Sequence, residues 1–111
     1  MLWSSQSAVG FGPVRVAETA WTRTRGLLGY SPLVDNEGML IMRCHSVHTI
    51  GMKYAIDVVF LKTNGKVAKV VEGLRPLRFA GCMGASAALE LAAGRARALQ
   101  LVPGVQLHGW Q

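Results

Sequence analysis

The sequence predicts a mainly β protein, a small barrel- or sandwich-like single domain with two short helices. Three observations carry that expectation. The run Ala55 to Lys62 is apolar and rich in β-branched residues on both faces, as a strand passing through an interior must be. It is followed by Asn64-Gly65 and then by Lys66 to Val71, the strongest short-range hairpin signal in the chain. Thirteen glycines and four prolines in 111 residues imply many turns between short elements.

Taken in order, residues 1–12 read as a weakly specified lead-in to one domain over 13–111, a length sufficient for a hydrophobic core without staples. Val14 to Ala17 is a short strand. Thr19 stands at an N-cap position ahead of a short helix to Leu28, with Trp21, Thr24 and Leu28 on one face and Gly26 weakening it. Gly29 to Gly38 is loop, marked by Ser31-Pro32 and Asp35-Asn36. Gly38 to Arg43 is a second strand, and His48 to Tyr54 is irregular or a short strand. In the second arm of the hairpin, Lys66 and Lys69 break the alternation and place it nearer an edge.

After a break at Arg75-Pro76, Ala87 to Ala92 forms a strand with Leu89 and Leu91 on one face and Ala88, Glu90 and Ala92 on the other. Gly94 opens the second helix, Arg95 to Leu101, which Pro103-Gly104 ends. Val105 to Trp110 closes the domain as a strand.

Twelve Lys and Arg against six acids give a net charge of +6 and a pI near 10.0. Such a balance suits nucleic acid, an acidic surface or an anionic ligand, or merely keeps a small apolar protein in solution. Arg23 and Arg25, Arg75 and Arg78, and Arg95 and Arg97 form three loose pairs, with no run of five like charges. Without a helix-turn-helix, zinc-finger or RNP-type signature, nucleic acid is disfavoured. The expected partner is an anionic small molecule or a protein. Cys44 and Cys82 are too few for a disulfide framework, and no leader pattern or apolar run of membrane-spanning length occurs. A cytoplasmic setting with two free thiols is therefore expected. Trp3 and Trp110 are candidates for an oligomer contact or for covering the domain's ends; the oligomeric state stays open.

Several motifs in order resemble the "domain of unknown function 192" family of small bacterial and archaeal proteins. Arg25-Gly26-Leu27-Leu28 is similar to its Arg-Gly-Leu motif and Glu37-Gly38-Met39-Leu40 to its Glu-Gly-Met-Leu strand. Ile56-Asp57-Val58-Val59-Phe60 resembles its Leu-Asp-hydrophobic-hydrophobic-Phe core. Leu89-Glu90-Leu91-Ala92-Ala93-Gly94 and Pro103-Gly104 resemble its late strand and final turn, so that the likeness spans most of residues 14–107. A Trp-Met-Lys-Asn-Thr motif common in that family falls here on His48-Thr49-Ile50-Gly51-Met52, and the usual Pro two residues before the Asp is Ala55. The resemblance implies a mostly β fold, barrel- or sandwich-like, and no agreed activity.

The run from Cys44 to Phe60 holds the densest chemistry: Cys44, His45, His48 and Met52, then Asp57 inside the apolar strand. A polar group buried there must be satisfied, since leaving it unpaired costs on the order of 2–7 kcal/mol. Asp57 is either a structural acid accepting backbone N–H groups or a general base in a cleft, and the structural role is the commoner one. Glu90 carries the same ambiguity. The two acids together form a glycosidase-type pair only if about 5–9 Å separates them.

Cys44-x3-His48-x3-Met52 has the soft ligands of a copper loop, with Cys82, Met83 and His108 as further donors, but no His precedes His45 and the loop lies mid-chain. No metal or cofactor is therefore expected, and a buried thiol, a core Met and a hydrogen-bonded His are the simpler account. Ser46, Thr49, Gly51 and the Gly81 to Gly84 stretch suggest a loop region open to a partner.

Two functional classes follow, with a soft-metal (Cu or Zn) binding protein using Cys44, His48 and Met52 as a further alternative. The first is a non-catalytic binding or accessory module with a shallow pocket around His48, Met52, Asp57 and Glu90. The second is a small hydrolase or thiol enzyme using Asp57 and Glu90 with His48 or Cys44. A module should show Asp57 sealed and fully paired beside an open apolar or basic surface; an enzyme should show an acid in a solvent-reaching cleft near a His or Cys.

Overall fold

In the computed structural model of the chain, which describes residues 3–4, 14–17, 38–49 and 54–108, the apolar run takes its expected interior place. Strand β5 (Ile56–Leu61) has all six residues buried. Before it come β1 (Trp3–Ser4), β2 (Val14–Ala17), β3 (Gly38–Met42) and β4 (Ser46–His48). After it come β6 (Val67–Leu74), β7 (Phe79–Gly81), β8 (Ala87–Ala92), helix α1 (Arg95–Ala98) and β9 (Leu107–His108).

The main sheet has five strands in the order β2-β3-β8-β5-β6. β2 runs parallel to β3, and every other neighbouring pair is antiparallel. The sheet is open, with β2 at one edge and β6 at the other, so the closed-barrel expectation fails: among the described residues no pairing joins the two edge strands. Among the described residues there are also two small ribbons, β1 with β9 and β4 with β7, both antiparallel. Trp3 and Ser4, within the lead-in, thus pair with His108 and Leu107.

The expected hairpin joins β5 to β6. Gly65 N–H donates to Lys62 O at 2.9 Å with Gly65 in the left-handed region at φ 85, and Asn64 Oδ1 accepts from Lys66 N at 3.0 Å. Gly65 thus takes the left-handed position of the turn, while Asn64 serves it through its side-chain acceptor. As its lysines foretold, β6 lies at the sheet edge.

Each face of the sheet carries its own core. Leu40, Val59, Leu61, Leu89 and Leu91 pack on one side beneath Ala96 and Leu99 of the helical segment and Leu101, Val105 and Leu107 of the C-terminal stretch. On the other side Met39, Ile41, Ile56, Val58 and Phe60 pack beneath Val47 and Ala80 of the β4–β7 ribbon. Each fully buried Leu, Ile or Phe removes roughly 1.5–3 kcal/mol worth of apolar surface from water. The sheet is therefore covered on both faces, which explains why β5 and β8 show no polar alternation beyond Asp57 and Glu90.

Among the described residues there is one short helix, α1, and it is shorter than the sequence suggested. Gln100 adopts the left-handed conformation at φ 59; Leu101 N–H donates to Ala96 O at 2.9 Å and Gln100 N–H to Arg97 O at 3.0 Å. This paired closure ends a helix, and Leu101 and Ala96 seal it with apolar contact in the same core. The other helix expected, Thr19 to Leu28, lies outside the described residues, as do the loop residues 29–37.

Candidate functional site

Asp57 is fully buried, and both of its carboxylate oxygens accept from backbone N–H groups. Strand β5 pairs with β6 through Ile56–Leu74 and Val58–Val71, so Glu72 and Gly73 together stand opposite Asp57 alone. Such a bulge leaves a ladder N–H without its strand partner. Asp57 Oδ1 accepts that Gly73 N–H at 2.8 Å, and Gly73 reaches the bulge through a left-handed φ of 64.

Oδ2 of Asp57 accepts two further donors, Gly94 N–H at 3.0 Å and Ala96 N–H at 2.9 Å. These belong to the first turn of α1, whose N-cap residue Gly94 has no side chain to offer. The carboxylate thus caps the helix from the sheet beneath it, and its charge suits the positive end of the peptide dipoles. One side chain ties strand, bulge and helix together.

Glu90 is also fully buried, but on the opposite face. Its cross-strand neighbours Met39 and Val58 belong to the ribbon-side core, whereas Leu91, opposite Asp57, belongs to the helix-side core. The two acids therefore do not converge, and an acid pair acting on one bound molecule has no geometric basis here. Glu90 is engaged in an interaction of its own. Of the remaining pocket residues, His48 sits half-buried on β4, and Met52 lies outside the described residues.

Cys44 and Cys82 are free and half-buried, both against the ribbon-side core. Cys44 Sγ donates to Ser46 O at 2.9 Å, while the backbone N–H of Cys82 donates to His45 O at 2.8 Å. Among the described residues, no group of three or more His, Cys, Asp or Glu is gathered to hold a metal ion.

The surface that does assemble is the β4–β7 ribbon. His48 pairs with Phe79, Val47 with Ala80 and Ser46 with Gly81. Val47 and Ala80 point into the core, so Phe79 with its neighbour His48 stands on the outer side, 76% exposed. Just before β7, Leu77 is 69% exposed and left-handed at φ 61. For a residue with a Cβ that conformation costs roughly 1–2 kcal/mol.

Thr49 holds the turn in that shape from the inside. It is fully buried. Its hydroxyl donates to Arg75 O at 2.6 Å and accepts from Arg78 N–H at 2.8 Å. Its backbone N–H donates to Arg78 O at 2.9 Å, and its carbonyl accepts Leu77 N–H at 3.2 Å. The turn presents Arg75, Leu77, Arg78 and Phe79 to solvent. At the other end, Met83 is 98% exposed, and Lys69 Nζ reaches from β6 to Gly81 O at 2.8 Å.

Sequence reasoning marked Arg75-Pro76 as a break and paired Arg75 with Arg78, but did not single out Leu77, Phe79 or Thr49 as a unit. The available signal was two apolar residues at alternate positions among arginines in a stretch without acids.

The model of the family "domain of unknown function 192", described as uncharacterized ACR, matches residues 4–109. Two solved structures share the fold. A protein of unknown function from Novosphingobium aromaticivorans DSM 12444 superposes with a TM-score of 0.76 at 22% identity, over 86% of this chain and 74% of that one. A candidate transcription regulator from Sinorhizobium meliloti 1021 gives 0.77 at 23% identity, over 86% and 80%. No curated protein matches the chain.

Proposed function

The chain belongs to the domain of unknown function 192 family, and we propose that it serves as a non-catalytic binding or accessory module for an anionic partner. The observation that carries the proposal is the outer side of the β4–β7 ribbon, where exposed Leu77 and Phe79 stand among Arg75 and Arg78. Exposed apolar side chains gathered together and rimmed by polar or charged groups are a mark of interaction surfaces. The commitment of Asp57 to three backbone donors supports the same reading, because a carboxylate so occupied holds the fold rather than moving a proton.

This shifts the binding region away from a pocket shared by His48, Met52, Asp57 and Glu90. Of those four, His48 lies on the ribbon, beside Phe79. A hydrolase or thiol enzyme would need Asp57 or Glu90 facing solvent near His48 or Cys44, and both acids are fully buried.

The test is retention on heparin–agarose with salt elution, comparing two double variants of equal net charge. Arg75→Ser with Arg78→Ser alters the ribbon, whereas Arg95→Ser with Arg97→Ser alters the helix side of the sheet. The ribbon pair should elute at clearly lower salt than the helix pair. Equal shifts would mean that net charge alone governs retention, and would sink the proposal.

A further inference from the structure

Leu77, Phe79 and Met83 are exposed by 69%, 76% and 98%, a concentration of bare apolar surface along one short ribbon. Across residues 43–49 and 75–86, which form the ribbon and its flanks, there is no Asp or Glu, while Arg43, Arg75 and Arg78 are present and exposed. Lys69 joins them at Gly81. Among the acids on the described residues, Asp57 and Glu90 are sealed in the core, and exposed Glu72 is paired with Arg97 at 3.3 Å.

We infer that the ribbon docks on an anionic lipid bilayer surface, with Leu77, Phe79 and Met83 entering the interface and Arg75 and Arg78 meeting lipid phosphates. The inference rests on the binding-module reading above and names its partner.

Charge complementarity and the spacing of the apolar residues favour a bilayer. Leu77 and Met83 flank β7 on its two sides in the chain, with Phe79 between them. A protein partner would need a matched recess for each. A bilayer interface accepts apolar tips at any spacing and offers phosphate at every headgroup. Nucleic acid would use stacking platforms, and Phe79 is the one aromatic side chain among the three exposed apolar residues. The arginines can lay their stems along the apolar tips and keep their guanidinium groups at headgroup level.

The strained turn fits the same role. Leu77 is held left-handed by four hydrogen bonds involving Thr49, which keep its side chain outside the core. Strain kept in place by a buried clip is a feature of sites that must present a side chain, because the surrounding structure could otherwise relax it.

The test is co-sedimentation with mixed phosphatidylcholine–phosphatidylglycerol vesicles and with pure phosphatidylcholine vesicles, at two salt concentrations. The chain should sediment with the mixed vesicles, less at high salt, and not with the neutral ones. Arg75→Ser with Arg78→Ser should weaken binding roughly twenty-five-fold, at about fivefold for each arginine near an anionic surface. Phe79→Ser should weaken it about tenfold or more. Leu77→Gly relieves the left-handed strain, so its urea midpoint should hold or rise while its vesicle binding falls, which separates loss of docking from loss of fold. Failure to sediment with the mixed vesicles, or sedimentation indifferent to Leu77→Gly and Phe79→Ser, overturns the inference. Ribbon-dependent heparin retention without vesicle binding overturns the lipid assignment alone. Indifference in both experiments overturns the binding surface itself.

Discussion

Replacing Asp57 by Asn tests the idea that one carboxylate joins strand, bulge and helix. The side chain keeps its shape but loses half of its acceptor capacity. The best placement sets the amide oxygen where Oδ2 stands, so that it still accepts from Gly94 and Ala96. The amide NH2 then faces Gly73 N–H, and two donors confront each other in place of a 2.8 Å hydrogen bond. One hydrogen bond to a charged acceptor is lost, worth about 1.5–3 kcal/mol, and two others weaken to neutral strength. Burying a neutral amide in place of a carboxylate offsets part of this, leaving a net loss of about 2–4 kcal/mol.

With a urea m-value of about 1.5 kcal/mol/M for a chain of this size, the denaturation midpoint should fall by roughly 2 M. Far-UV circular dichroism in urea measures it, and amide exchange at Gly73, Gly94 and Ala96 should accelerate together. Asp57→Ala should cost more, since it leaves three buried donors without an acceptor. A midpoint shift under about 0.5 M at unchanged m-value would refute the reasoning, because the three donors would then not depend on the carboxylate.

Gln100→Gly should stabilise the chain by about 0.5–1 kcal/mol, seen as a higher urea midpoint, because glycine holds φ 59 without the penalty a Cβ brings. Thr49→Val keeps the side-chain volume but removes the acceptor of Arg78 N–H and the donor to Arg75 O. It should cost about 1–3 kcal/mol and expose the Arg78 amide to rapid hydrogen exchange. Gly38→Ala would set a Cβ 2.9 Å from Leu91 Cδ2 and 3.3 Å from Glu90 O, and Leu91 is fully buried with little room to yield. A loss of about 1–3 kcal/mol in chemical denaturation is expected.

What local pattern can express, the sequence expressed well. β2 and β8 have the bounds that their residues suggest, and the hairpin forms at Asn64-Gly65, where Gly65 takes the left-handed conformation. The alternation in β8 correctly divides Leu89 and Leu91 from Ala88 and Ala92. That Asp57, if buried, should accept backbone N–H groups needed no more than the knowledge that a buried acid seeks donors. The left-handed closure at Gln100 stops helix α1 short of Leu101, and the sequence extended it because glutamine carries no strong stop signal.

Relations between strands were decided only by the tertiary structure. Alternation states which residues of one strand share a face; it does not state how the faces of two strands correspond, and a slip of one residue exchanges them all. The pairings of Val58 with Glu90 and Asp57 with Leu91 place the two acids on opposite sides of the sheet. That registry depends on contacts more than thirty positions apart in the chain. The same holds for Thr49 and the turn at Arg75 to Arg78, joined across 26 and 29 positions. The residue types in the sequence set each strand's own pattern. The exposed ribbon exists because non-local hydrogen bonds hold Leu77 and Phe79 outside a core that, by their hydrophobicity alone, they would have entered.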